Sequence, residues 1–331
     1  MTNYVNGLDL PISIAAWLAH DAYVPNHDII SATQLIRPTR QLILSYRLEQ
    51  GIIPNVIAEP VDITQMLKSR KGTAVHEGIE NVWKDPERRN KALLALGYPE
   101  KSLSRFKVNL DPDALTKNDI AVYTERFCER EHSSGYWIGG TADFVLRGRV
   151  QDFKNTSTFS YMDAAKDVKY QLQGSIYRWA MPEIITEDEM DIIEMYDDWS
   201  AAMTFKKDYP PSNIVIKPIP LLSIKATDKF IERKVIELIE FMEIPEPDLP
   251  YCSDEDLWRK NDVYKYFSKA TNKKSSGNFD TYEEAMVAMR NNGGVGEVRT
   301  VKGKAVACRF CNARPICSQA KHLKAIGELD A

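Results

Sequence analysis

The stretch from Ile120 to Ser157 constrains the fold of this chain more than any other. Three runs rich in β-branched and aromatic residues follow one another there, separated by "HSSG" and by the dipeptide Arg147-Gly148. Runs of this kind, joined by short turns, are typical of β-hairpins. The sequence therefore predicts an antiparallel meander of three strands.

Helical patterns lie on both sides of this meander. Ser31 to Gln34 has the form of a capping box, and apolar residues keep helical spacing from Ile63 to Val82. After the meander, the pattern predicts a helix over 168–181, strands over 190–196 and 213–218, and a helix over 227–242. Helices and strands thus alternate around the predicted meander.

The composition is that of a globular protein. The chain has 331 residues, of which 44% are hydrophobic and 27% charged, and its net charge of −4 excludes a global positive field. No stretch reaches the roughly 20 apolar residues of a membrane span, and no basic region precedes the first apolar run. We therefore expect a soluble cytoplasmic protein with no membrane partner.

Two acids and a lysine occupy the second hairpin of the meander. If Arg147-Gly148 is a two-residue loop, Leu146 pairs with Arg149 and Asp143 stands opposite Asp152. Opposed Cβ atoms lie about 4.5 to 5.5 Å apart, so two like charges there need compensation. Oxygen ligands of this kind suit Mg²⁺ or Mn²⁺, and period two places Lys154 on the same face. An ordinary solvated strand face is the alternative.

Three more polar side chains lie on the predicted helices before and after the hairpin. His76 lies on the helix before it, and Gln173 and Tyr177 are one turn apart on the helix after it. A lone helical histidine is often structural, and the glutamine and tyrosine could simply make polar contacts with the sheet. Their order along the chain gives them a second interpretation.

Taken in order, "GTAVHEGIE", "GGTADFV", "QDFKNTS" and "QGSIY" resemble the motifs of the PD-(D/E)xK nucleases, in the RecB-like branch. The resemblance spans most of residues 1–245 and implies an α/β, restriction-endonuclease-like core, with a central mixed sheet flanked by helices. The chain departs from the pattern at Ala142, where the family has proline, and at Asp152, where glutamate is frequent. Neither change removes a carboxylate.

The resemblance also implies a role for each motif residue. The groups that would hold one or two Mg²⁺ or Mn²⁺ ions are His76, Asp143, Asp152 and the carbonyl of Phe153. Lys154 would orient or help deprotonate the attacking water, and Gln173 and Tyr177 would position the DNA strand or the lysine. The implied reaction is in-line hydrolysis of a DNA phosphodiester.

A cysteine cluster near the C-terminus indicates a second metal site. Cys308, Cys311 and Cys317 form a Cys-x₂-Cys-x₅-Cys pattern, and five cysteines fit a reducing compartment better than a disulfide framework. Many RecB-like nucleases, including those of CRISPR adaptation, are similar here and hold a [4Fe-4S] cluster with a distant fourth cysteine. We expect Cys252 to be that ligand and Cys128 to be a core residue. Structural Zn²⁺ is the alternative cofactor.

The C-terminal part differs in composition from the rest. Three prolines between Ile244 and Cys252 predict a boundary, giving a nuclease core over 1–245 and a cysteine-bound segment over 246–331. Residues 257–309 hold eleven Lys/Arg against five Asp/Glu, with aromatic residues interleaved. This stretch is either a solvated basic face or a surface that follows phosphates.

These observations favour a metal-dependent DNA nuclease. By the resemblance, it would be an exonuclease acting on single strands or duplex ends in recombination, repair or phage DNA metabolism, with a recombination or helicase partner. A restriction-type endonuclease would need a recognition domain, for which few residues remain after Pro245. A non-catalytic nucleic-acid-binding module with a degenerate site and structural zinc is the alternative from another class.

Overall fold

A computed structural model describes residues 3–20, 28–53, 60–162 and 165–330. Its strands are β1 Tyr4–Val5, β2 Ile29–Ser31, β3 Val61–Asp62, β4 Phe106–Val108, β5 Ile120–Glu131, β6 Trp137–Leu146, β7 Arg149–Thr156, β8 Glu189–Tyr196, β9 Ile214–Pro220, β10 Val263–Phe267, β11 Gly277–Phe279 and β12 Glu297–Val301. Its helices are α1 Ile12–Ala19, α2 Ala32–Leu35, α3 Thr39–Glu49, α4 Leu67–Lys84, α5 Pro86–Ala95, α6 Glu100–Leu103, α7 Ala165–Ala180, α8 Ile224–Phe241, α9 Tyr282–Asn291 and α10 Ser318–Ala325. Within these ranges, no helix is both long enough and apolar enough to cross a membrane.

The chain divides into two compact units. The first comprises Met1–Arg37 and Ala58–Ile236, and the second comprises Pro38–Ile57 and Glu237–Ala331. The predicted boundary near Pro245 differs from this division, which falls within α8 and assigns α3 to the second unit. The physical reason lies in α3, where the Arg47 guanidinium donates hydrogen bonds to the carbonyls of Phe241, Met242 and Ile244.

The first unit is built on a mixed seven-stranded sheet. Its strand order is β4-β5-β6-β7-β8-β9. Strand β2 pairs with the first residues of β6, whereas β7 pairs with the last residues of β6. The β5-β6-β7 meander is antiparallel, whereas β8 runs parallel to β7 and antiparallel to β9. Helices α4 and α7 contact this sheet. The predicted α/β class, a central mixed sheet flanked by helices, is confirmed.

Apolar side chains of the central strands anchor these helices. Phe144 packs with Phe153 and with Trp83 of α4, in a cluster that also contains Val122. Helix α7 approaches β6 closely, since a Cβ atom on Gly140 would lie 2.9 Å from Tyr177 Cε1. Glycine at this position therefore lets the tyrosine ring rest directly on the strand.

Several local elements follow from sequence signals. Ser31 forms the predicted capping box with Gln34 at the start of α2. A second capping box, between Thr281 and Glu284, starts α9. At the start of the turn before α4, Asp62 accepts a hydrogen bond from the Thr64 amide. Short-range side-chain-to-backbone bonds thus set these helix starts, and the capping box at Ser31 is the predicted one.

The second unit contains a small sheet of its own. Strands β10, β11 and β12 are antiparallel in the order β11-β10-β12, and α9 contacts all three. The predicted basic stretch forms most of this layer. Two of its aromatic residues, Tyr266 and Phe267, are buried and thus belong to the small core, whereas Trp258 remains 49% exposed. Part of the aromatic interleaving is therefore structural.

Candidate active site

The β6-β7 hairpin has the predicted turn and register. Leu146 pairs with Arg149 around Arg147 and Gly148, whose φ values of 50° and 82° are both positive, as a type I′ turn requires. The ladder ends at the Phe144–Gln151 pair, beyond which β7 continues beside β8 and β6 beside β5. The two strands therefore separate into a fork.

Asp143 and Asp152 are the next residues on the two arms of this fork. By alternation both belong to the strand face that carries Val145 and Val150. The expected direct pair is absent from the described ladder, and instead the Phe153 amide donates to Asp143 Oδ2 at 3.0 Å. Burial and the neighbouring Asp152 raise the pKa of Asp143 to about 7. Two carboxylates are thus close and incompletely neutralised.

Lys154 lies on β7 on the same face as Asp152. Its Nζ atom is 2.5 Å from Asp152 Oδ2, and beyond this lysine no donor reaches that oxygen in the described ranges. Burial lowers the pKa of Lys154, but the charges of Asp152 and Asp143 outweigh it, so the pKa is raised. The lysine is therefore held as an ammonium group beside both acids.

His76 reaches the fork from α4. Its Nε2 atom lies 2.9 Å from the Phe153 carbonyl oxygen, and its Nδ1 atom lies 3.7 Å from Glu125 Oε1 and 3.6 Å from Asp143 Oδ2. The nearby Glu125 carboxylate raises the pKa of His76 to about 9 against the opposing effect of burial, with Asp143 and the Phe153 carbonyl adding to the rise. This shift reports an excess of negative charge around the ring.

Glu125 is the site residue that the sequence interpretation missed. It lies on β5 between the Thr124–Phe144 and Arg126–Ala142 pairs, which places it opposite Asp143. Its φ of 44° is unusual for a residue other than glycine, and such strain often occurs at functional sites. Counting outward from "HSSG" would set Ala142 opposite Glu125, whereas the observed five-residue turn over 132–136 sets Asp143 there.

Gln173 and Tyr177 approach the fork from α7. Gln173 Nε2 donates to Tyr177 Oη at 3.0 Å and lies 3.4 Å from Asp152 Oδ1. Tyr177 is 4% exposed, and burial raises its pKa, which keeps the phenol protonated at neutral pH. The pair therefore contacts the acid end of the site as neutral hydrogen-bonding groups, which suits positioning better than proton transfer.

The donor set at the fork suits a divalent cation. Ligand atoms of His76, Glu125 and Asp143 all lie within 4.8 Å of one another. Carboxylate oxygens and one imidazole are ligands for Mg²⁺ or Mn²⁺, and the buried Asp152 stands beside them. Relative to the predicted ligand set, Glu125 is added, and the Phe153 carbonyl is already in contact with His76.

The four predicted cysteine ligands lie together in the second unit. Cys252, Cys308, Cys311 and Cys317 line one cavity of about 30 Å³, which exceeds the space of a single water. Burial, then Asp256 and the other three sulfurs, raise the pKa of Cys252 to about 12. Such mutual destabilisation of thiolates is what a bound metal relieves.

Cys252 and Cys128 have different local surroundings. Gln319 fixes Cys252 by accepting from its amide at 2.9 Å and donating to its carbonyl at 2.8 Å. Cys128, in contrast, is buried in β5 of the first unit, and burial raises its pKa to about 12. Cys128 is a core residue, as expected.

Comparisons with known proteins give distant likenesses. No protein-family model and no curated protein matches the chain. A structure of SSO0001 matches with 17% identity and a TM-score of 0.39, covering 68% of this chain and 87% of that one. LHK-Exo in complex with dAMP matches with 13% identity and a TM-score of 0.36, covering 69% and 92%. The alkaline exonuclease LHK-Exo from Laribacter hongkongensis matches with 12% identity and a TM-score of 0.35, covering 69% and 94%.

Proposed function

We propose that the chain is a metal-dependent DNA nuclease of the PD-(D/E)xK type, in the RecB-like branch, and that it acts as an exonuclease. The observation that carries this proposal is the fork between β6 and β7, where three acids, a histidine and a lysine converge. Like charges placed this close together are stable when a cation compensates them. An ammonium group beside them supplies positive charge for a phosphate.

His76, Glu125, Asp143 and Asp152 would hold the ion, which we propose to be Mg²⁺ or Mn²⁺. A bound divalent ion would lower the pKa of a water molecule and neutralise charge on the scissile phosphate. The imidazole favours Mn²⁺ modestly over the harder Mg²⁺. The raised pKa of His76 supports a cation-binding role because it reports the acids around the ring, and the raised pKa of Asp143 reports burial first and then the Asp152 charge.

Lys154 supplies the positive charge beside the scissile phosphate. Held by Asp152 as an ammonium, it orients the attacking water and donates to the phosphate oxygen on which charge develops. The Tyr170 ring, whose centroid lies 5.7 Å from Nζ, limits where the amine can move. Gln173 in turn holds the Asp152 carboxylate and Tyr177, so α7 positions the acid that positions the lysine.

The test of this function is cleavage of end-labelled DNA. We expect the purified protein to shorten single-stranded or duplex substrates from their ends when Mg²⁺ or Mn²⁺ is present, and to be inactive in EDTA. Covalently closed circular DNA of the same sequence is the control for end dependence. Binding without cleavage under every metal condition would instead favour the non-catalytic module. The polarity of digestion and the recombination or helicase partner stay predictions.

Replacing Glu125 by glutamine should weaken Mn²⁺ binding. The change removes one of three clustered ligand groups while keeping the shape of the side chain, so we expect affinity to fall at least about tenfold. Glu129→Gln is the matched control, since it makes the same change at an exposed position of the same strand. Free Mn²⁺ measured by electron paramagnetic resonance reports both, and equal affinities would exclude Glu125 as a ligand.

We further propose that the four cysteines hold a [4Fe-4S] cluster that stabilises the second unit. Their shared cavity supports a four-thiolate site, and the same ligands would serve structural Zn²⁺. Anaerobic purification followed by iron, sulfide and zinc assays distinguishes the two cofactors. Iron and sulfide near four each per chain are expected for the cluster, whereas one zinc without iron would select the alternative.

A further inference from the structure

Arg40 is a buried arginine in the second unit, beside the four-cysteine cavity. It is 2% exposed and lies near the start of α3, yet it lines the cavity together with the cysteines. A buried guanidinium cannot lose its proton, so its charge must be matched by acceptors around it. The groups that accept hydrogen bonds from the guanidinium therefore account for the burial of Arg40.

The Arg40 guanidinium donates hydrogen bonds on three sides. Nη1 donates to the Leu249 carbonyl at 2.7 Å, and Nη2 donates to Ser318 Oγ at 2.7 Å and to the Glu246 carboxylate. Nε donates to Cys317 Sγ at 3.2 Å. All three guanidinium nitrogens are thus engaged, and one of them is engaged with a predicted metal ligand.

The Cys317 contact is electrostatic as well as geometric. Burial lowers the pKa of Arg40, but the hydrogen bond and charge of Cys317, with those of Glu246, outweigh it and raise the pKa. A deprotonated cysteine is the form that binds metal. A cationic N–H donor stabilises that form and takes electron density from the sulfur.

We propose that Arg40 is a positioning residue for the group bound by the cysteines: its Nε–H···Sγ bond to Cys317 holds that ligand and tunes the bound metal. This inference rests on the proposed four-cysteine cofactor and is independent of the cleavage site. Hydrogen bonds to cluster sulfurs set reduction potentials, and groups that support metal ligands influence affinity. The effect on affinity applies to a cluster and to zinc alike, whereas the effect on potential applies to a cluster, because Zn²⁺ has no redox chemistry.

Arg47 provides a matched control on the same helix. It is 6% exposed, and it donates to backbone carbonyls at 241, 242 and 244 without lining the cysteine cavity. Both arginines tie α3 to the segment after α8. A purely structural role would therefore be lost in either variant, whereas an effect on the metal should follow Arg40.

The experiment compares wild type, Arg40→Gln, Arg40→Lys and Arg47→Gln after anaerobic purification. Release of the bound iron or zinc to a chelator should be at least about tenfold faster in Arg40→Gln and unchanged within about twofold in Arg47→Gln. Arg40→Lys keeps the charge but loses the planar set of N–H donors of the guanidinium, so an intermediate release rate is expected. For a cluster, the midpoint potential should also fall, by about 59 mV for a tenfold change in the one-electron equilibrium.

Each result decides the inference. Equal release rates and equal potentials for the Arg40 and Arg47 variants would overturn it, while leaving the cofactor assignment intact. A wild-type protein without iron or zinc would overturn the cofactor proposal and this inference together, and DNA cleavage would still be measured separately. If Arg40→Gln fails to fold, the double variant Arg40→Gln/Glu246→Gln removes both charges and permits the same comparison.

Discussion

Asp152→Ala is expected to abolish metal-dependent DNA cleavage while the protein remains folded. The substitution removes a buried carboxylate that borders the ion site and holds Lys154 by an ion pair at 2.5 Å. Losing both functions should remove several kcal/mol of transition-state stabilisation, which corresponds to a rate decrease of about 10³-fold or more. Cleavage of end-labelled DNA under single-turnover conditions measures the effect.

Stability should change in the opposite direction from activity. Asp152 raises the pKa of Asp143, so in the metal-free protein the two carboxylates repel each other. Removing Asp152 relieves that repulsion and leaves Asp143 as the acid that compensates Lys154, so we expect the Tm of the metal-free variant to equal or exceed that of wild type. A site that is destabilised for its function shows this trade-off. Added Mn²⁺ should raise the Tm of wild type more than that of the variant.

Lys154→Ala tests the same site by removing the lysine ammonium group. Cleavage should fall by about 10²- to 10⁴-fold, because the ammonium group that orients the attacking water and hydrogen-bonds the phosphate is lost. Glu189→Ala is the matched control, since Glu189 forms an ion pair with Arg149 of β7 at 3.0 Å but lies 51% exposed near the turn. Full activity in a folded Asp152→Ala or Lys154→Ala protein would contradict the proposed site.

Cys317→Ala should remove the bound metal and destabilise the second unit. Cys317 is buried, lines the four-cysteine cavity and accepts a hydrogen bond from Arg40, so its loss leaves three ligands and one unpaired donor. We expect metal content to fall well below that of wild type, with the second unit becoming sensitive to proteolysis. Metal analysis and limited proteolysis measure the two effects.

Cys128→Ala separates this effect from the general result of losing a buried thiol. Cys128 is 5% exposed within β5, so alanine there leaves only a small cavity and should cost about 1 kcal/mol without changing metal content. Cys252→Ala should behave as Cys317→Ala does. Unchanged metal content in Cys252→Ala would show that another residue completes the site.

Local sequence was sufficient to predict the hairpin and its register. Side chains alternate along a strand, and a two-residue turn allows one pairing. Counting outward from the turn therefore places Leu146 opposite Arg149. The same reasoning placed Asp152 and Lys154 on one face. Capping at Ser31 and the grouping of cysteines at 308, 311 and 317 were likewise readable, because each depends on residues within a few positions.

Only the tertiary structure showed which distant groups meet. Glu125 joins His76 and Asp143 because the β5-β6 register places it opposite Asp143 and α4 packs against β5 and β7, and no local pattern encodes that packing. Helix α3 belongs to the second unit because Arg40 and Arg47 bind groups about 200 residues later in the chain. Buried charges are placed by partners that folding brings together, and periodicity reports only which face a residue occupies.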